Sequence, residues 1–131
     1  MADLSAALAN VERAFSELEG YLQLPVTHQR DKAGLIQGFE FTFEVFWKTF
    51  QKLAPAAVLE ASSPRESLIA AARLHLISPD EAPHWSQMLR DRNLTSHTYN
   101  ASIANDIVER LTRDYVGCFR VTLQRLRQPA P

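Results

Sequence analysis

The stretch Phe39-Glu40-Phe41-Thr42-Phe43-Glu44-Val45-Phe46-Trp47 reads two ways, and the choice decides the fold. Phe39, Phe41 and Phe43 alternate with polar residues, as on a half-buried strand. A wider window favours a helix: Leu35, Phe39, Phe43, Phe46, Phe50 and Leu53 recur at steps of three and four, over about five turns and well beyond ordinary strand length. Five of the seven phenylalanines of the chain fall here. With aromatics nearly all round, this helix, expected from Lys32 to Leu53, is predicted to be buried over most of its circumference. Gly34 and Gly38 are expected to admit a close helix neighbour, and Pro55 to end the segment.

On the N-terminal side, Leu4, Leu8, Val11, Phe15, Leu18 and Leu22 share one helical face. Pro25 predicts that this helix stops near Gln23, before a polar turn around Thr27. On the C-terminal side, Ser63-Pro64-Arg65-Glu66 and Ser78-Pro79-Asp80-Glu81 have the make-up of helix starts, with a Ser cap, Pro in the first turn and Glu reaching back. The first is expected to carry Leu68, Ile69, Ala72 and Leu76. The second is expected to carry Trp85, Met88 and Leu89, stopping near Arg92 or Asn93. A last long helix, capped by Asn100 and reaching about Arg127, carries Ile107, Leu111, Tyr115 and Thr122 on its apolar face. No β-branched run bounded by turns occurs, so the expected fold is all-α: an up-and-down bundle of four to five helices in one domain, residues 1–131.

The chain has 131 residues, 46% apolar and 22% charged, which excludes disorder as its main state. Fourteen basic against fifteen acidic side chains exclude a globally electropositive nucleic-acid wrapper, so any nucleic acid has to be met by a local patch. The lone Cys118 cannot form an internal disulfide or a cysteine zinc site. With neither a signal-peptide pattern nor an apolar run of membrane-spanning length, the expectation is a cytoplasmic protein away from membranes.

Leu89-Arg90-Asp91-Arg92-Asn93-Leu94-Thr95-Ser96-His97-Thr98-Tyr99-Asn100 is polar at ten of twelve positions and reads as a loop between the fourth and fifth segments, where function concentrates. Neutral imidazole exchanges a proton near pH 7, a guanidinium holds phosphate bidentately, and Asn93 and Ser96 can orient both. The set suits phosphodiester cleavage by the ribose 2′-OH without a metal. The bland alternative is a helix end with a dipole-compensating Arg92, a surface His97 and a rim Tyr99.

Arg92-x4-His97-x-Tyr99 is similar to the Arg-x4-6-His-x-Tyr motif of the HEPN superfamily. The blocks Phe39 to Glu44, Trp47-Lys48-Thr49, Ser63-Pro64-Arg65 and Asp91 to Asn100 resemble those of the bacterial nucleotidyltransferase substrate-binding family, a sibling of the HepT-like toxins. The resemblance spans nearly the whole chain. It implies a homodimer that brings two motifs together, with His97 transferring protons, Arg92 holding phosphate, and Asn93, Ser96, Asp91 and Glu40 in support. It further implies an RNA substrate, no cofactor, and a cognate minimal nucleotidyltransferase that acts as antitoxin by transferring AMP to Tyr99. The family's name also implies an alternative, a non-catalytic substrate- or nucleotide-binding subunit.

Other features are read more plainly. Glu40 and Glu44, one turn apart, are either a carboxylate pair or solvated acids. Trp47 and Trp85 read as core. His28, His75 and His84 lack metal-ligand spacing, and no metal is assigned. Arg120, Arg125 and Arg127 either balance a helix end or form a basic rim.

Overall fold

In the computed structural model, which describes residues 2–54 and 63–128, the aromatic stretch lies within one helix, α2 (Gln29–Leu53). It starts three residues ahead of Lys32 because the Asp31 carboxylate accepts the backbone N–H groups of His28 (2.9 Å) and Thr27 (3.0 Å). Those two bonds hold the Asp31 carboxyl below its usual range. Leu35, Ile36, Phe39, Phe43, Phe46 and Phe50 are buried. The buried hydroxyls of Thr42 and Thr49 donate to the carbonyls of Gly38 (2.7 Å) and Val45 (2.8 Å) one turn back, so neither burial strands a polar group. Burial is less complete than the aromatic count predicts: α2 packs against its neighbours on one broad face, and Phe41 is 58% exposed on the other. The stop expected at Pro55 lies outside the described residues.

The first helix, α1 (Ala2–Leu22), ends one residue short of the expected position and lies along α2. A Cβ on Gly38 would meet Leu18 Cδ1 at 3.2 Å and Tyr21 Cδ2 at 3.5 Å, so a small residue is needed there. Gly34 differs from the expectation, since nothing lies within 4 Å of its Cβ position. That stretch of α2 faces open space.

The short helix α3 (Pro64–Arg73) is capped by Ser63, whose Oγ accepts the Glu66 N–H at 3.2 Å. Its inward face is Ser67, Ala70 and Ala71, and Ile69 is 40% exposed, a rotation from the face expected. Small side chains one turn apart seat α3 against α2. His75 then takes φ 62° while the Leu76 N–H donates to the Ala71 carbonyl at 2.9 Å, the left-handed closure at which glycine is favoured. His75→Gly is therefore expected to stabilise the protein by about 0.5–1 kcal/mol, read as a higher midpoint in urea. An unchanged or lower midpoint would contradict this.

The Ser78–Glu81 box forms in both directions (Ser78 N–H to Glu81 Oε1, 3.0 Å; Glu81 N–H to Ser78 Oγ, 3.3 Å) but closes a turn, and α4 proper runs Ala82–His97. Arg125 donates to both Glu81 oxygens, holding the Glu81 carboxyl below its usual range and tying this turn to the last helix. The last segment is continuous: α5 (Ala101–Arg110), a π turn (Leu111–Tyr115) and α6 (Val116–Arg127). Its apolar positions Ile107, Leu111, Tyr115, Phe119 and Leu123 recur strictly every four residues. On an ideal α-helix that spacing drifts about 40° per step; the wider π turn takes up the drift.

The core forms where α2, α4 and α6 meet. Phe46 stacks on Phe119 (5.1 Å, 11°), and Trp85 stands edge-on to Phe46, Phe50 and Phe119. Cys118 is buried, and burial pushes its thiol up to about 11, so the thiol stays protonated at neutral pH. Among the described residues no strand occurs, and no helix is long and apolar enough to cross a membrane.

Candidate functional site

The polar stretch expected to be a loop is mostly helix. α4 continues to His97, and only Thr98 to Asn100 separate it from α5. No Gly or Pro interrupts Asp91 to Asn100, and the hydroxyls of Thr95 and Ser96 donate to the Arg92 carbonyl (3.0 and 3.1 Å), closing the final turn. Asn100 is the cap expected, accepting the Ile103 N–H at 2.9 Å. Arg92 and His97 therefore stand on a rigid element.

Helical placement sends neighbouring motif residues in different directions, about 100° per position. Asp91, 1% exposed, points into the bundle. Arg110 grips it with Nη2 on Oδ1 (2.8 Å) and Nε on Oδ2 (3.0 Å), Gln87 donates to Oδ1 (3.1 Å), and the Tyr115 hydroxyl donates to Oδ2. Burial, reinforced by the Asp91 charge, holds the Tyr115 phenol protonated, and Asp91 likewise holds Arg110 charged. Residues five apart stand about 140° apart on an α-helix; the π turn brings Arg110 and Tyr115 to the same side. Asp91 thus anchors the helix that carries the motif and contacts neither Arg92 nor His97.

Arg92 turns toward α2. Its Nη2 lies 3.3 Å from Glu44 Oε2 and its Nη1 lies 3.4 Å from Asn93 Oδ1. Glu44 Oε2 also accepts Trp47 Nε1 at 2.9 Å, and Glu44 Oε1 lies 3.5 Å from Lys48. One turn earlier, Glu40 Oε2 lies 3.2 Å from the Thr95 hydroxyl, whose single proton serves either this carboxylate or the Arg92 carbonyl. The two carboxylates are thus divided between two residues of α4 rather than paired. Asn93, Ser96 and His97 are exposed, and Tyr99 is 50% exposed.

Arg92, Ser96, Glu40 and Glu44 form one end of a groove of about 930 Å³ between α1, the following turn and α2. Its apolar wall includes Tyr21, Leu24, Val26 and Phe41, all substantially exposed. Glu17, Asp31, Glu40 and Glu44 outnumber Arg30 and Arg92 along it, so the lining carries an acidic excess.

The structure brings Arg92, Ser96 and Glu40 to one end of the groove, sets Asn93 against Arg92, leaves His97 and Tyr99 exposed outside the groove lining, and turns Asp91 away. Sequence reading missed Thr95, the Arg92–Glu44 contact and the Arg110–Tyr115 grip on Asp91; for the last, the strict four-residue spacing around Leu111 was the available signal. The candidate basic rim is engaged elsewhere: Arg120 pairs with Glu19 (3.1 Å), Arg127 with Glu12 (3.2 Å) and Arg125 with Glu81. Among the described residues, no cluster of three His, Cys, Asp or Glu lies within range of a common metal ion.

Residues 6–128 match the family described as nucleotidyltransferase substrate binding protein like. The fold is similar to that of a protein from Thermus thermophilus known from a crystal structure, with a TM-score of 0.78 and 35% identity over 90% of this chain and 99% of that one. No curated protein matches the chain.

Proposed function

This chain belongs to the nucleotidyltransferase substrate binding protein-like family, which is HEPN-like, and from that premise we propose that it is a HepT-like toxin: a homodimeric, metal-independent endoribonuclease. The observation that carries this reading is that Arg92 and Ser96, on the rigid helix α4, line one end of a groove, with His97 exposed at the last position of that helix and Tyr99 exposed two residues beyond it. The 2′-oxygen of a ribose attacks the adjacent phosphorus, the 5′-oxygen leaves, and a 2′,3′-cyclic phosphate forms. One His97 takes the 2′-OH proton, and the second copy's imidazolium gives a proton to the 5′-oxygen. Arg92 holds the non-bridging oxygens as charge builds on them.

Two motifs are needed, so the second copy matters. Tyr21, Leu24, Val26 and Phe41 are four of the eight exposed large apolar side chains among the described residues, and all four line the groove. Arg90, Leu94 and His97 form a basic and apolar stripe along α4, spaced four and three. An acidic, apolar groove and a basic, apolar helix end on the same chain are self-complementary, as a twofold interface requires. Seating one copy's α4 end in its partner's groove directs each His97 toward the other copy's Arg92.

Tyr99, half exposed two residues beyond α4, is the acceptor of AMP: on a cognate minimal nucleotidyltransferase its phenol oxygen attacks the α-phosphorus of ATP and pyrophosphate leaves. The added phosphate repels RNA from Arg92. With that partner and ATP, intact mass is expected to rise by AMP units in the wild type and not in Tyr99→Phe; equal labelling of both would overturn the assignment. The family description favours a second reading, a non-catalytic binding subunit of a two-component nucleotidyltransferase. RNA cleavage by the unmodified protein separates the two.

A further inference from the structure

We infer that Glu44 is a gate on the phosphate site, a positioning residue that holds the Arg92 guanidinium against the groove wall and gives it up when a phosphate arrives. The inference takes from the proposed function only that Arg92 is the phosphate ligand. Three groups converge on the Glu44 carboxylate: Arg92 at 3.3 Å, Trp47 Nε1 at 2.9 Å and Lys48 at 3.5 Å. Trp47 and Lys48 belong to the same helix as Glu44, so these two contacts do not depend on Arg92. Arg92 is the movable member: its long side chain is about one-third exposed, and its contact with Asn93, at 3.4 Å, is longer still.

This asymmetry makes release inexpensive. When phosphate takes the guanidinium, Glu44 keeps two donors and is not left as an unpaired charge, the outcome that makes breaking most ion pairs costly. The neighbouring Glu40, one turn earlier on α2, faces Thr95 at 3.2 Å rather than Arg92. A phosphodiester carries one negative charge, as does the carboxylate, so the two ligands compete for Arg92 on nearly equal terms. Occupancy then depends on what else the ligand contacts. Glu44 thereby suppresses the binding of stray anions while leaving a substrate with further contacts able to displace it.

The test uses inorganic phosphate, followed at the Arg92 Nε–Hε resonance by NMR in wild type, Glu44→Gln and Arg92→Lys. Glutamine keeps an acceptor for Trp47 and removes the competing charge. The expected result is a two- to fivefold tighter phosphate titration in Glu44→Gln, about what a partly exposed ion pair is worth, with a thermal midpoint close to wild type. The signal is absent in Arg92→Lys, which confirms its assignment. Equal or weaker phosphate binding in Glu44→Gln, or no phosphate-dependent shift in either protein, overturns the inference. A gate that behaves as expected in a protein that cleaves no RNA would remove the nuclease and leave the gate standing.

Discussion

Asp91→Ala is expected to lower the unfolding free energy by about 3 kcal/mol, the scale of breaking a buried ion pair from one side. Asp91 is 1% exposed and receives Arg110 through two bonds, Gln87 and the Tyr115 hydroxyl. Its removal leaves a phenol and a partly buried guanidinium without their acceptor. For a chain of this length the loss corresponds to roughly 10 °C in the thermal midpoint, measurable by circular dichroism. Asp91→Asn keeps an acceptor for Tyr115 and loses the bidentate charge pair, so its midpoint should fall between the two. A loss below about 1 kcal/mol in Asp91→Ala would show that the network does not hold α4 to the π turn.

Phe41→Arg is expected to abolish both dimerisation and RNA cleavage while leaving the fold intact. Phe41 is 58% exposed, so the isolated subunit should change by no more than about 0.5 kcal/mol. In the proposed dimer the same side chain lies under the partner's basic α4 end, where losing an aromatic anchor and adding a like charge weakens association by about 100-fold or more. Sedimentation at micromolar concentration should give the subunit mass. A variant that remains dimeric and active would place the interface elsewhere.

The fold was legible because its main signals are repeated along the chain. The period through Leu35, Phe43 and Phe50 outweighed the local alternation of Phe39, Phe41 and Phe43, and Ser63 and Asn100 mark caps that the structure uses. The end of α4 was not legible. Polarity from Asp91 to Asn100 reads as a loop, yet the hydroxyls of Thr95 and Ser96 find their acceptor within the helix, on the Arg92 carbonyl one turn back. Asp91 was misjudged for a related reason: beside Arg92 in sequence, it stands about 100° away around the helix, and its real partners, Arg110 and Tyr115, lie some twenty residues on. The motif itself stands out in the sequence. What sequence cannot supply is the direction each side chain takes, and hence which carboxylate meets Arg92.

The proposed RNA cleavage runs by proton transfer through His97. Its most direct test is incubation with an RNA oligonucleotide in EDTA, using protein whose Tyr99 is shown unmodified by intact mass. The expected products are fragments ending in 2′,3′-cyclic phosphate, formed at a rate that falls about 100-fold or more in His97→Ala. No cleavage by the unmodified wild-type protein, or cleavage that survives in His97→Ala, would contradict it.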